Sequence, residues 1–171
     1  MSVTFDPHWR YCDLRLLRLE NDWLALDILP ELGAKIYSLV HKPSGRNLLW
    51  HNPRLLPERA AYGAAFDDHW AGGWDEILPN DLPVPTAGGE LLPDHGEFWA
   101  CPADWQVVTL TERCCELRFN LRGRVLPADL EKTVLLTEAD PFARIRYRFS
   151  NSCGETFPFL WNIHPALAVS E

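Results

Sequence analysis

Hydrophobic and polar positions alternate along much of the chain with the two-residue period of a β-strand. The clearest case is residues 143–150, where apolar or aromatic side chains alternate with arginines: Ile145, Tyr147 and Phe149 with Arg144, Arg146 and Arg148. Residues 115–122 alternate in the same way. Successive side chains of a strand point to opposite faces, so these segments predict half-buried antiparallel strands. Residues 105–111 and 125–137 predict two more, with Pro127 confining the start of the second to an edge or bulge.

The N-terminal part predicts two β-hairpins. Residues 14–29 turn at 20–22, which reads Glu-Asn-Asp, and residues 33–50 turn at 42–45, which reads Lys-Pro-Ser-Gly. Both turns are rich in residues that favour tight turns. No stretch keeps the 3.6-residue apolar period of a helix, although residues 55–65 have room for a short one. The pattern therefore predicts an all-β fold.

Residues 52–102 break the alternating pattern. They are rich in proline, glycine and tryptophan and show little periodicity. Ordered loops of this length are uncommon unless they build a site. A disordered linker is the alternative, and the aromatic and apolar content argues against it. We predict a single domain over residues 1–171, in which residues 52–102 form a long site-building loop region.

Composition and charge narrow the class of protein. The 171 residues carry a net charge of −8, with 47% hydrophobic and 23% charged residues. No stripe of lysines and arginines is present to follow a phosphate backbone, so we expect no nucleic-acid partner and no anionic membrane partner. The N-terminus lacks the apolar core of a signal peptide, and no run approaches the ~20 apolar residues of a membrane span. The sequence predicts a cytoplasmic protein.

Neither the cysteines nor the acidic loop predicts a cofactor. Five cysteines, which include the neighbouring pair Cys114 and Cys115, are odd in number and show no CxxC or metal-binding spacing. We therefore expect reduced thiols and no disulfide framework. Asp67, Asp68 and His69 follow one another too closely on one loop to converge on a metal ion. We predict no metal and no cofactor.

Three segments carry a resemblance to a known family. They are GGWDEILPN at residues 72–80, LPDHGEFW around His95 and WNIHPAL around His164. In this order they resemble the aldose 1-epimerase (galactose mutarotase-like) family, in which a Gly-Gly segment ending in Pro-Asn precedes a His-Gly step and a later His-Pro dipeptide. The resemblance implies an antiparallel β-sandwich, the mutarotase-like supersandwich. The family domain continues beyond residue 171, so we expect this sandwich to be incomplete at its C-terminus.

The resemblance also implies an activity and a role for each histidine. Family members interconvert sugar anomers by opening the ring, which requires an acid for the ring oxygen and a base for the C1 hydroxyl. His164 matches the general acid, and an ordinary histidine pKa of about 6.5 suits that role. His95 matches the residue that holds the sugar. For each, the alternative is a structural histidine bonded to backbone groups.

Further sugar contacts are predicted near the histidines. The candidates are an arginine of the preceding loop, two tryptophans for stacking and two polar side chains: Arg54, Trp74, Trp99, Glu76 and Asn80. Asp75, Asp94 and Glu97 are acidic residues of the same region, and a substitute base among them and Glu76 is a minor alternative. The other interpretations are core tryptophans, carboxylates that cap turns and a solvated arginine.

Two functions of different class remain open at this point. The family's catalytic carboxylate lies in its C-terminal part, and nothing in this chain matches it. The protein is either an isomerase of the aldose 1-epimerase type, with a small-molecule sugar as substrate, or a non-catalytic carbohydrate-binding or oligomerising module that lacks the base. A sandwich cut before its last strands exposes sheet edges, which favours a homodimer.

Overall fold

Two antiparallel β-sheets, packed face to face, make up most of the protein. The computed structural model describes residues 2–169. In chain order its strands are β1 (Thr4–Tyr11), β2 (Leu14–Glu20), β3 (Leu24–Leu29), β4 (Lys35–His41), β5 (Arg46–Asn47), β6 (Trp74–Ile77), β7 (Val84–Pro85), β8 (Leu91–Leu92), β9 (Asp104–Leu110), β10 (Cys114–Arg122), β11 (Ala128–Thr137), β12 (Arg144–Asn151) and β13 (Asn162–Pro165). The predicted all-β antiparallel class is confirmed.

The order of the strands defines two edges of the sandwich. The larger sheet runs β1-β2-β3-β4-β6-β13, with β5 paired to β4, and the smaller sheet runs β12-β11-β10-β9. β7 and β8 form a separate small hairpin. Phe5 on β1 contacts Trp105 on β9, with ring centroids 6.1 Å apart. Tyr147 on β12 contacts Trp161, next to β13, at 5.0 Å. One edge of the sandwich is thus β1 with β9, and the other is β13 with β12.

The main core lies between the two sheets. Its members include aliphatic and aromatic side chains of both sheets: Leu17, Leu19, Leu26, Ile28, Ile36, Leu117, Phe119, Leu130 and Val134. A second, smaller cluster covers the opposite face of the larger sheet and includes Ala71 from the loop region, packed with Leu14, Leu29 and Tyr37. Residues of the loop region therefore pack on the outer face of the larger sheet.

The alternation of apolar and polar residues predicted the positions of the strands in the smaller sheet closely. In β10 the inward positions are buried, and in β12 the arginines face outward as predicted. β11 begins at Ala128 and not at residue 125, because the backbone N–H groups of Arg124, Val125 and Leu126 donate to the Glu97 carboxylate and leave the ladder. The prediction for its start was wrong because a distant side chain competes for those N–H groups.

The N-terminal strands follow the predicted hairpins with two differences. β1 was not predicted, because TFDPHWRY does not alternate cleanly, and its pairing with β2 slips between Asp6 and Trp9. β5 spans only Arg46–Asn47, where the pattern had suggested residues 46–50. The Asn47 side chain explains the early end, because its Oδ1 accepts the N–H groups of Leu39 and Leu49.

Within residues 2–169, helical structure is confined to two short pieces. These are a 3₁₀ turn at Lys42–Ser44 and α1 (Phe66–His69). Residues 55–65 form no helix, since Gly63 has a φ of +80° and Pro57 lacks an N–H group. Across residues 2–169, no helix has the length and apolar character needed to cross a lipid bilayer.

The β12–β13 edge leaves core-facing side chains in contact with solvent. Ile163 lies opposite Glu76 in the β13–β6 ladder, and the Glu76 carboxylate meets Lys132 of the other sheet, so both side chains point between the sheets. Ile163 is nevertheless 52% exposed, and Phe159 is exposed beside it. Unpaired apolar sheet edges promote association.

We expect the 171-residue chain to self-associate through this edge. An Ile163→Asp variant should elute as a smaller species, because a charge on an inward-facing edge position opposes pairing. Leu56→Asp, in an exposed loop whose Arg59 pairs with Glu31 between β3 and β4, is the control and should leave the mass unchanged. Size-exclusion chromatography with light scattering measures both. A wild-type chain that stays monomeric at high concentration would contradict the prediction.

Candidate functional site

His164 lies on the outer face of the larger sheet, in a row of charged side chains. Its partner in the β13–β6 ladder is Asp75. Ile36 of β4 pairs with Trp74 of β6, and because this ladder is antiparallel, Lys35 lies beside Asp75. Lys35 Nζ is 3.1 Å from Asp75 Oδ2. Paired residues of adjacent strands project to the same face. Lys35, Asp75 and His164 therefore line up across three strands.

The Lys35–Asp75 pair is deeply buried, while His164 is partly exposed. Lys35 is 4% and Asp75 1% exposed. Lys35 also donates to the carbonyl of Gly72, whereas neither Asp75 oxygen accepts a hydrogen bond from a described residue. His164 Nδ1 is likewise buried without a hydrogen-bond partner among residues 2–169. The buried part of the candidate site thus contains polar atoms that make no hydrogen bond to a described residue.

His95 reaches the same region from the loop that follows β8. Its φ of +58° and the φ of +77° at Gly96 form a tight left-handed step. The His95 N–H donates to the Asp81 carbonyl at 2.7 Å. On the ring, Nδ1 is 3.0 Å from Asp94 Oδ1, an ion-pair contact outside hydrogen-bond geometry. The His-Gly dipeptide therefore forms a tight turn that orients the His95 imidazole, and the Asp94 carboxylate lies next to its Nδ1.

Phe66 of α1 brings the two histidines together. The His95 ring stacks on the Phe66 ring with centroids 4.2 Å apart and planes 8° apart. His164 meets the same ring edge-on at 6.0 Å, and Trp99 does so at 5.2 Å. Trp70 lies 5.2 Å from His164. We call these five residues, Phe66, Trp70, His95, Trp99 and His164, the aromatic cluster.

Phe66 was not predicted from the sequence as a residue of the site. Its segment, FDDHW, had been considered as a metal site for its two aspartates and its histidine. Phe66 is 1% exposed, at the start of a four-residue helix within a loop without periodicity. The Asp94 carboxylate, next to His95, lies 3.4 Å from the Phe66 N–H and accepts it. A lone phenylalanine in such a loop carries no local signal that it separates two distant histidines.

The other predicted sugar contacts lie in different places. Trp99 is in the aromatic cluster, with its indole N–H donating to the Asp94 carbonyl. Trp74 packs against the main core, and Glu76 shares its inward face of β6. Asn80 is buried and donates to the carbonyls of Leu82 and Pro93. Arg54 is exposed on the surface. Of the five, the structure brings only Trp99 into contact with the aromatic cluster.

Glu76 is the centre of a buried network between the sheets. Its Oε1 is 2.9 Å from Lys132 Nζ and accepts the hydroxyl of Tyr147. Burial raises the pKa of Glu76, while the Lys132 charge opposes the shift. Burial also raises the pKa of Tyr147, and the Glu76 charge adds to the rise. Lys132 additionally donates to the carbonyl of Ala34. This carboxylate therefore joins the two sheets and faces away from His164.

The remaining acidic candidates fall into two groups, one bonded inside the protein and one next to His95. Glu97 is 1% exposed, and its carboxylate accepts three backbone N–H groups of residues 124–126. Asp94 and Asp81, in contrast, lie 3.0 Å and 4.0 Å from the two ring nitrogens of His95 and are partly exposed. Carboxylates that face a histidine and solvent together are thus found on the His95 side.

The acidic loop does not form a metal centre. His69 Nδ1 pairs with Glu58 at 3.0 Å, while Asp67 and Asp68 are exposed on α1. Over the described range 2–169, no three His, Cys, Asp or Glu side chains are placed to hold a metal ion. The arrangement around the histidines is one of proton-transfer groups and aromatic faces.

A concave region elsewhere in the molecule lacks such chemistry. It encloses about 690 Å³ over the smaller sheet and is lined by side chains of both charges, including Arg122, Asp129, Glu131 and Arg148. It contains no histidine, and Arg122 and Asp129 pair with each other at 3.4 Å. We place the candidate site at the aromatic cluster, because the titratable rings converge there.

Comparison with known proteins gives one family model and several structures. The model is described as a domain of unknown function (DUF5107) and matches residues 8–66. No curated protein matches the chain. The family match runs from within β1 to the start of α1 and ends before both histidines of the aromatic cluster.

Solved structures of low identity share the fold. A TPR-domain containing protein from Parabacteroides distasonis is 20% identical, with a TM-score of 0.67 over 92% of this chain and 24% of its own. A galactose mutarotase-like protein from Lactobacillus casei is 19% identical, with a TM-score of 0.60 over 91% of this chain and 50% of its own. YeaD of Salmonella typhimurium, a suggested mutarotase, is 17% identical, with a TM-score of 0.57 over 80% of this chain and 43% of its own.

These likenesses show the fold of the chain. Two of the three structures are described as mutarotase-like or mutarotase proteins, and the chain therefore has the mutarotase-like β-sandwich fold. It spans half or less of the length of each matched structure. Identities of 17–20% do not carry activity across, because one fold serves many functions.

Proposed function

We propose that the protein binds a sugar at His95 and His164 and interconverts its anomers by acid/base opening of the ring. The observation that carries the proposal is the packing of both imidazoles on Phe66, at 4.2 Å and 6.0 Å, although 68 residues separate them in sequence. Two imidazoles that face one small region suit one proton transfer to a sugar and one hydrogen bond that holds it.

Each histidine has a distinct part in the proposed reaction. His164 donates a proton to the ring oxygen as the C1–O bond of the ring opens, and takes it back on closure. His95 holds a sugar hydroxyl, and Asp94, 3.0 Å from its Nδ1, orients the imidazole. Trp70 and Trp99 provide aromatic faces for the apolar side of the sugar ring. The proton of the C1 hydroxyl requires a base, for which Asp94 and Asp81 are the carboxylates nearest to His95.

The test is NMR exchange spectroscopy on a panel of neutral aldoses. We expect accelerated α/β interconversion with the wild-type protein and a fall of about 10²–10⁴-fold in the His164→Ala variant, the usual effect of losing an acid–base group. His95→Ala should mainly raise the dissociation constant. His41→Ala, in the exposed 41–44 region, serves as the control and should leave both quantities unchanged. Full turnover in the His164→Ala variant would overturn its assignment as the acid.

A non-catalytic sugar-binding module is the second candidate. Glu76 and Glu97, two of the four carboxylates considered as a substitute base, are bound by Lys132 and by backbone N–H groups respectively. Fewer carboxylates are therefore available to act as the base for the C1 hydroxyl. Ligand line broadening without accelerated exchange would favour this candidate, whereas exchange that His164→Ala removes would favour the isomerase.

A further inference from the structure

The row of aromatic rings at the candidate site continues to an exposed tryptophan. Trp70 contacts His164 on one side at 5.2 Å and Trp50 on the other at 5.5 Å. Phe66 and Trp99 are buried, while Trp50 is 37% exposed. Trp50 was not among the residues predicted from sequence to touch a sugar. It provides an accessible indole one ring beyond the proposed acid.

The main chain holds Trp50 firmly in this position. Its N–H donates to the Ala166 carbonyl at 2.7 Å, and its own carbonyl accepts the Gly73 N–H at 3.0 Å. These partners follow β13 and precede β6, the two strands that carry His164 and Asp75. Leu49, the preceding residue, is buried in the main core. These main-chain hydrogen bonds fix the backbone of Trp50 relative to the strand of His164.

A side chain on Gly72 would disturb this arrangement. Gly72 has a φ of +85°, and a Cβ built there would overlap the Trp50 carbonyl. The close approach of the two backbones depends on the absence of that atom. The Gly-Gly segment, which sequence analysis associated with the histidines, thus also holds the segment of Trp50 against the site.

The charge around the row favours an uncharged ligand. Asp67 and Asp68 are exposed on α1, next to Phe66, and Asp81 and Asp94 lie at His95. Carboxylates next to a binding surface oppose the approach of a phosphate or carboxylate group. An exposed, rigid indole binds the apolar face of a neutral ring at little entropic cost.

We infer that the ligand is an uncharged reducing disaccharide or longer saccharide, whose reducing unit contacts the two histidines and whose next unit stacks on Trp50. The inference rests on the proposed function, since it extends the same site by one sugar unit. It assigns Trp50 a role in specificity and none in proton transfer. Trp70, which contacts both His164 and Trp50, joins the two parts of this site.

The experiment compares a monosaccharide with its reducing disaccharides. Glucose, maltose and cellobiose are titrated into the ¹⁵N-labelled 171-residue chain, and dissociation constants are taken from amide shifts. We expect one of the disaccharides to bind about tenfold more tightly than glucose, the gain of one stacked ring. Trp50→Ala should abolish that gain and leave glucose binding unchanged. Trp50→Phe, which keeps an aromatic face, should retain part of it.

Trp23→Ala is the matched control. Trp23 is 42% exposed at the β2–β3 turn, so its loss removes a similar area of exposed indole away from the histidines. The inference would be overturned if the tighter binding of the disaccharide survived Trp50→Ala, or if all three sugars bound equally. In either case, binding and anomerisation of glucose would still support the proposed function. Absence of binding by every sugar would overturn both.

Discussion

Gly96→Ala lowers the free energy of unfolding by about 3–5 kcal/mol, in the range of the most damaging single substitutions. An added Cβ would overlap the carbonyl carbon and oxygen of Leu78, and Gly96 has a φ of +77° that side-chain-bearing residues rarely adopt. Both neighbours are backbone atoms in a buried region, so neither strain is relieved by turning a side chain. The close approach exists because Glu97 donates its N–H to that same Leu78 carbonyl.

Thermal and urea denaturation measure the loss, which for a chain of this size corresponds to a fall of roughly 10 °C in Tm. Gly154→Ala is the control, since Gly154 has an ordinary φ and no atom within 4 Å of an added Cβ. That variant should stay within about 0.5 kcal/mol of the wild type. Wild-type stability in Gly96→Ala would mean that the loop relaxes freely, and the fixed placement of His95 would then be wrong.

Lys132→Met is the second substitution with a large expected effect. The Lys132 ammonium is 0% exposed, and it neutralises the buried Glu76 carboxylate at 2.9 Å. Removing one partner leaves the other charge unpaired in the core, which costs about 3–5 kcal/mol of stability at neutral pH. The double variant Glu76→Gln with Lys132→Met removes both charges and should recover most of the loss. A double variant no more stable than Lys132→Met would contradict this account.

The effect of Lys132→Met depends on pH in a definite direction. Burial raises the pKa of Glu76 in the folded state, and loss of the Lys132 charge, which opposes the shift, raises it further. Between the unfolded and folded pKa values the folded state binds more protons, so stability falls as pH rises through that window. The variant should therefore be closest to wild type in acid and furthest from it at neutral pH.

A surface pair offers the comparison for Lys132. Lys42 and Glu20 also form a lysine–glutamate contact, at 3.4 Å, but both side chains are 38% exposed. Lys42→Met should change stability by no more than about 1 kcal/mol, because solvent screens the pair and hydrates the remaining charge. The difference between the two lysine variants isolates burial as the cause.

β6 connects the stability of the fold with the chemistry of the candidate site. Asp75 faces outward to Lys35 and lies beside His164, while Glu76 faces inward to Lys132. Because adjacent residues of a strand point to opposite faces, two consecutive acidic residues serve the two faces of the sheet. The DE pair in GGWDEILPN is explained by this arrangement, in which both carboxylates are matched by buried lysines.

The sequence alone predicted much of the strand content and of the local turns. Side-chain alternation depends on the two-residue period of a strand, so β10 and β12 were found from neighbouring residues. The turns at 20–22 and 42–45 depend on the conformational preferences of a few adjacent residues. Lys132 also had a local signal, since it occupies an inward position of β11 between Leu130 and Val134.

Only the tertiary structure decided how the candidate site is assembled. Pairing of β13 with β6 sets His164 beside Asp75, and α1 inserts Phe66 between the two histidines; both are long-range contacts with no periodic signal. The same packing turned Glu76 inward and engaged Asn80 with backbone carbonyls, although both had been predicted to face a sugar. Residue type and spacing specify local backbone geometry, whereas the surroundings of a side chain depend on segments that meet only in the folded chain.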